Sequence, residues 1–348
     1  MTRIAAVAPV LPEFRYTQEQ ITAELAPLLT ANPTRQAVIE RLHGSSRIGH
    51  RHTALPLERY RTLGSFRETN DIFIEVASEL LERALTAALG AAGLAASDID
   101  FVMFTSVTGI AAPSIDALLA LRMGMRADVK RVPSFGLGCV AGAAGLARVN
   151  DYLVGHPTEV GVLLSVELCS LTLQRADETM GNFVATGLFG DGATAVVLTG
   201  DAHALAAGPR IAATRSALYP DTAGVIGWNI GETGFEIVLT AGVADVIEQH
   251  FAADVAAFLA ANDVESIDHW VAHPGGPRVL EAFESALGTP RLHRSWDSLE
   301  RVGNLSSSSV LHVLADTLDL ERPAPGQNGL LFAMGPGVSA EFVLLEWE

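Results

Sequence analysis

Apolar positions recur at helical spacing over residues 17–42, TQEQITAELAPLLTANPTRQAVIERL, and predict two helices divided at Pro33, with Thr17 as an N-cap. Residues 72–93, IFIEVASELLERALTAALGAAG, show the same spacing and stop at Gly90 and Gly93. The period then changes. FVMFTSV (101–107), EVGVLLSVEL (159–168) and ATAVVLTG (193–200) are short continuous apolar runs bounded by turn residues, as expected of buried strands. Between the first two lies a helix rich in small residues, 139–155. The second half repeats the rhythm: HFAADVAAFLAANDV a helix, IDHWVAHP a strand ending in a glycine turn, and PRVLEAFESAL a helix. NLSSSSVLHVLADTL follows as a helix, and GLLFAMGPGVSAEFVLLEW as a closing strand hairpin. This alternation predicts an α/β fold built on a mainly parallel sheet covered on both faces.

Two stretches recur between the halves in the same order. GLFGDGATAVVLTG (187–200) is similar to LFAMGPGVSAEFVLL (331–345), and GLGCVAGAAGLARVNDYL to VGNLSSSSVLHVLADTL. Their order points to an internal duplication, with one half over 1–205 and the other over 206–348.

Composition narrows the partners. Of 348 residues, 49% are hydrophobic, enough for a large core without metals or disulfides. A net charge of -17 argues against nucleic acid or an anionic membrane as partner. Two cysteines cannot build a disulfide framework and fit a reducing cytoplasm. The N-terminal apolar patch is interrupted by Pro9, Pro12 and Glu13 and does not read as a signal peptide, and no apolar run has the length of a membrane span.

Three residues stand out chemically. Cys139, in SFGLGCVAGAAG, lies in a bed of glycine and alanine at a helix start, where the dipole favours a thiolate. A buried inert thiol is the plainer reading of such a residue, and it suits Cys169 in SVELCSL. His273, in WVAHPGGPR, ends an apolar strand before glycines that let a ligand approach. Asn304, in RVGNLSSSSV, opens a helix; capping explains an asparagine there, but it holds the place that Cys139 holds in the first half. His43, His50 and His52 lack metal-ligand spacing and read as surface. Cysteine, histidine and asparagine together admit a papain-like hydrolase or a condensing enzyme whose two donors hold an enolate. The duplicated layout and the missing protease motif favour the second.

The stretches GCVAGAAGLAR, GLFGDGA, AHPGGPRVLE, GNLSSSSV and MGPGVSAE, in this order, resemble the type III polyketide synthases, the chalcone and stilbene synthase family of the thiolase superfamily. The ketoacyl-ACP synthase III family shares Cys-His-Asn but typically has HQAN where this chain has HPGG. The resemblance implies a thiolase-like, duplicated α-β-α-β-α five-layer fold and a homodimer. It also implies iterative condensation of malonyl-CoA onto an acyl-CoA starter, then cyclisation, with no metal or organic cofactor. Cys139 would carry the chain, His273 would lower the thiol pKa as its ion-pair partner, and His273 and Asn304 would hold the thioester carbonyl. Phe189 would orient malonyl, Gly335, Pro336 and Gly337 would shape the cyclisation cavity, and Ser306 would lie near its floor.

Departures from the family bear on the product. Val107 replaces a threonine or cysteine, Ala112 a methionine that reaches into the partner's cavity, and Ile237 a bulky gatekeeper. Smaller groups imply a roomier pocket and a fatty acyl starter, as for alkylpyrones or alkylresorcinols. Of three basic CoA-binding positions only Arg41 is kept; Val38 and Ser45 hold the others, so Arg47 or Arg278 compensates or the donor rides on an acyl carrier protein. A single-step ketoacyl synthase and a non-catalytic partner subunit of the same fold are the rival readings.

Overall fold

The computed structural model describes residues 2–175, 177–288 and 292–348. Its centre is a nine-stranded sheet. From one edge to the other the strands are His269–Ala272, Asn328–Gly335, Ser339–Glu346, Arg210–Leu218, Thr2–Val10, Asp191–Gly200, Val160–Leu168, Phe101–Thr105 and Lys130–Ser134. The last five come from residues up to Gly200 and the first four from Arg210 onward.

The layers follow from alternation along the strands. Val162, Leu164 and Val166 face the long helix Phe66–Ala92, whose Ala77, Leu81 and Leu85 are fully buried against them. Leu163 points the other way, onto the helix Ala141–Gly155. Val343 and Leu345, from the second half, share that same middle core with Val310 and Leu314 of the helix Ser309–Asp316. Phe342 and Leu344 face outward again, onto Phe251 and Phe283 of the outer helices. The two small-residue helices are thus sandwiched between the two halves of the sheet, with further helices outside, in five layers.

Sheet direction differs from expectation. Only three strand pairings are parallel, those of Phe101–Thr105 with its two neighbours and of His269–Ala272 with Asn328–Gly335. The other five are antiparallel, so the sheet is mixed. Burial on both faces, not strand direction, makes a strand continuously apolar, so the pattern could not separate the two cases. The N-terminal patch turns out to be the central strand Thr2–Val10, which pairs with Arg210–Leu218 and joins the halves. Residues 187–190 are no strand: Leu188 ends the helix Met180–Leu188, and Phe189 is its C-cap. The N-cap Thr17 and the division at Pro33 are as expected, with a capping box between Thr17 and Gln20. Among the described residues, no helix is long and apolar enough to cross a membrane.

Candidate active site

Cys139 lies in a tight 3-10 turn, Gly138–Val140, that leads into the helix Ala141–Gly155. The glycine bed has a geometric cause. Gly138 has φ +56°, and Pro336 ring carbons stand 2.6 Å from where its Cβ would be. At Gly335 a Cβ would fall 2.7 Å from both Leu137 O and Val140 N, and at Gly142 it would strike Ser307 O. The turn carrying the sulfur is therefore clamped backbone to backbone between the end of strand Asn328–Gly335 and the Ser306–Ser308 turn of the other half.

That packing brings Cys139 Sγ to 3.6 Å from Ser306 Oγ. The Asn304 side chain also reaches the thiol and favours its anion. Asn304 Oδ1 accepts from Ser306 N at 2.8 Å, closing a turn over two residues, while Leu305 is the N-cap of Ser306–Ser308. Asn304 Nδ2 donates to Gly275 O at 3.0 Å. Because a carboxamide has two N–H groups, the bond to Gly275 O leaves one for a ligand. Asn304 N donates to Leu188 O at 2.8 Å and Gly190 N to Asn304 O at 2.9 Å, so Phe189 is held against the same turn.

His273 continues the strand His269–Ala272 by one residue, its N–H donating to Phe332 O at 2.9 Å. The turn after it is pinned twice, by Gly275 N on His273 O at 3.0 Å and by Asn304 on Gly275 O. His273 therefore leans on Phe332 and the Cys139 turn on Gly335, three residues apart on one strand. The imidazole is buried, and its Nδ1 has no hydrogen-bond partner.

Electrostatics run against the expected thiolate. Burial pushes the Cys139 thiol up to about 12, and Glu167 adds to the rise. Burial alone drives the His273 imidazole down to about 3. Desolvation outweighs the helix start, and the resting pair is a neutral thiol and a neutral imidazole.

A cavity of about 120 Å³ opens on this turn. Cys139, Ser306, Phe189, Val107, Ile237 and Pro336 line it. His273, Asn304, Gly335 and Gly337 are not part of its lining, nor are Ala112 and Arg41, which are exposed. Arg47 is engaged elsewhere, 2.9 Å from Glu281 and over the Trp296 ring, and Arg278 is exposed.

Three residues escaped the sequence reading. Cys169 lines the same cavity as Cys139 instead of lying apart in the core, and Arg51 lines it too. Glu167 is a fully buried carboxyl fed by five donors, among them Ser307 Oγ at 2.5 Å and Val107 N at 3.1 Å. A lone glutamate inside the apolar run VGVLLSVEL was the signal that could have found it. His43, expected at the surface, is buried against Thr22 and the Phe183 carbonyl.

The chain matches the family models for chalcone and stilbene synthases, the N-terminal domain over residues 19–202 and the C-terminal domain over 210–347. It is 54% identical to 1,3,6,8-tetrahydroxynaphthalene synthase of Streptomyces peucetius subsp. caesius, over 99% of this chain and 93% of that one. It is 31% identical to phloroglucinol synthase of Pseudomonas fluorescens, over 97% of each. The crystal structure of 1,3,6,8-tetrahydroxynaphthalene synthase from Streptomyces coelicolor A3(2), a bacterial type III polyketide synthase, superposes with a TM-score of 0.93 at 29% identity, covering 99% of both chains. With both halves matched and the thiolase-like layers in place, this chain belongs to the chalcone and stilbene synthase family and is a type III polyketide synthase, an acyltransferase that condenses and cyclises polyketide chains to phenolic products.

Proposed function

We propose that Cys139, His273 and Asn304 carry out the condensation. Cys139 Sγ attacks the starter thioester as its proton passes to the neutral imidazole, and the imidazolium returns that proton to the departing sulfur, so that CoA leaves as the thiol. Malonyl-CoA then loses CO2, and the enolate oxygen is held by the free N–H of Asn304 and an N–H of His273. The enolate carbon attacks the Cys139 thioester and frees the sulfur for the next transfer. This chemistry asks for no metal or organic cofactor. The observation that carries the reading is the Asn304 turn, which meets both partners: Ser306 Oγ lies 3.6 Å from Cys139 Sγ, and Asn304 Nδ2 holds Gly275 O behind His273.

For the product we favour a fused tetrahydroxynaphthalene over an alkylresorcinol. The ring carbons named in the 54% identical relative make five two-carbon units, so the starter would be no larger than the extender. Donor thioesters on CoA, and the cytoplasm where they are made, complete the reading. A homodimer is part of it: the edge strand Lys130–Ser134 is open, and Val132, Phe135 and Ile110 are each nearly half exposed beside Ala112.

Incubation with carbon-labelled malonyl-CoA alone should yield a product whose every carbon is labelled. Asn304→Ala should slow malonyl-CoA decarboxylation about a hundredfold, the usual effect of losing one oxyanion donor. Decarboxylation at the wild-type rate would remove Asn304 from the mechanism. A product demanding a second acyl-CoA would remove the small starter.

A further inference from the structure

The cavity wall holds a charge that these steps do not use. Arg51 lies in the strand His50–Thr53, lines the cavity and is only 4% exposed. Its Nε donates to Gln18 Oε1 at 2.9 Å and its Nη1 to Phe189 O at 2.7 Å, both neutral acceptors. Its Nη2 is buried and has no hydrogen-bond partner among the described residues. Asp191 is a counter-charge to it at a distance: its oxygens accept from Ala54 N, Ser170 N and the Ser170 hydroxyl, and among the described residues no hydrogen bond or ion pair joins it to the guanidinium. Cys169, on the same wall, is held neutral by burial.

A buried guanidinium that hydrogen-bonds only neutral acceptors, its carboxylate counter-charge out of contact, gains from an anion that can reach it. The wall that faces it is where the acyl chain must grow. We propose that Arg51 is the counter-charge for an anionic oxygen at the free end of the chain carried on Cys139, and that it selects chains ending in a carboxylate or enolate over chains ending in a methyl group. This rests on Cys139 being the loaded nucleophile. It makes Arg51 a specificity residue: a guanidinium that merely propped Phe189 would leave starter choice unmoved.

The test is Cys139 loading, followed by intact-protein mass spectrometry without extender. Succinyl-CoA and glutaryl-CoA, which keep their carboxylates, are compared with butyryl-CoA and valeryl-CoA of equal length. The acid-ended thioesters should load about tenfold faster, the worth of one charge-assisted hydrogen bond. Arg51→Gln should bring that ratio close to one. Because Arg51→Gln also loses the Phe189 contact and can misfold, Cys169→Asp is the second variant; it leaves Arg51 in place and supplies a fixed carboxylate, and it should abolish the preference too. Acetoacetyl-CoA separates the two sources: a preference matching that of succinyl-CoA identifies the enolate, and none identifies the carboxylate. A wild-type ratio near one, or a ratio unchanged in Cys169→Asp, overturns the proposal alone. Failure of every thioester to load Cys139 overturns the condensation reading and this proposal with it.

Discussion

Pro336 occupies the space that a side chain on Gly138 would need, its ring carbons 2.6 Å from the Cβ position. The two residues come from opposite halves of the chain, and their contact sets where the next residue, Cys139, puts its sulfur. Gly138→Ala adds both a clash and a strained φ, and should cost about 2 kcal/mol of stability. Acyl loading of Cys139 should fall at least tenfold. Pro336→Ala in the same chain should restore part of both losses, measured as coupling in a double-mutant cycle of urea midpoints. Strict additivity would show that the contact does not position the turn.

Glu167 accepts from backbone and hydroxyl donors and has its anion close to the Cys139 thiol, whose pKa it raises. Glu167→Gln can turn its amide N–H groups toward Ser306 and Ser307, whose hydroxyls rotate, but not toward Val107 N–H. The expected cost is about 1–2 kcal/mol. Removing the anion should speed alkylation of Cys139 by iodoacetamide at neutral pH. A rate equal to wild type would mean that this carboxyl does not burden the sulfur.

His43 and His312 are buried and held down to about 4, chiefly by desolvation, and His273 to about 3. Their folded pKa values lie below the unfolded ones, so between about pH 4 and 6.5 the unfolded chain binds more protons and stability falls as pH falls. Each would contribute on the order of 3 kcal/mol across that window. Asp191, raised by burial to about 6, acts oppositely: it gives stability on the acid side that is lost as pH rises through 6. Burial raises Glu167 and Glu341 in the same sense as Asp191, but His52 is lowered with the other histidines and Glu159 and Glu321 are held below the usual carboxylate range, so the loss on acidification is the larger. Urea midpoints should therefore drop from pH 6.5 toward 4, less steeply in His43→Gln; a flat profile would contradict the neutral burial of these rings.

Ile237 faces the cavity and also lines a polar groove outside, with Gln174, Thr179 and Glu236. It is the partition between them. Ile237→Phe should thicken that partition and reduce products primed by hexanoyl-CoA about tenfold relative to the product from malonyl-CoA alone. Product mass spectrometry with both substrates reads the ratio, and an unchanged ratio would show that the groove plays no part in starter entry.

The candidate residues were legible through their setting, although a plainer reading existed for Cys139 and Asn304: Cys139 among glycines, His273 before Gly275 and Gly276, Asn304 at the mirrored helix start. Glu167 and Arg51 were passed over for the opposite reason. One lay in an apolar run and the other among surface-like histidines, and only burial makes their charge costly enough to notice.

Periodicity, the paired small-residue helices and the spaced motifs determined the α/β layers, the family and which residues are candidates for the chemistry, because these depend on short-range geometry and on residue type. Tertiary structure alone decided strand direction, the neutral state of Cys139 and His273, the clamp of Pro336 on Gly138 and the isolation of Arg51. Each of those depends on which distant segments exclude water from one another, and desolvation is a property of the assembled interior that no local window of sequence contains.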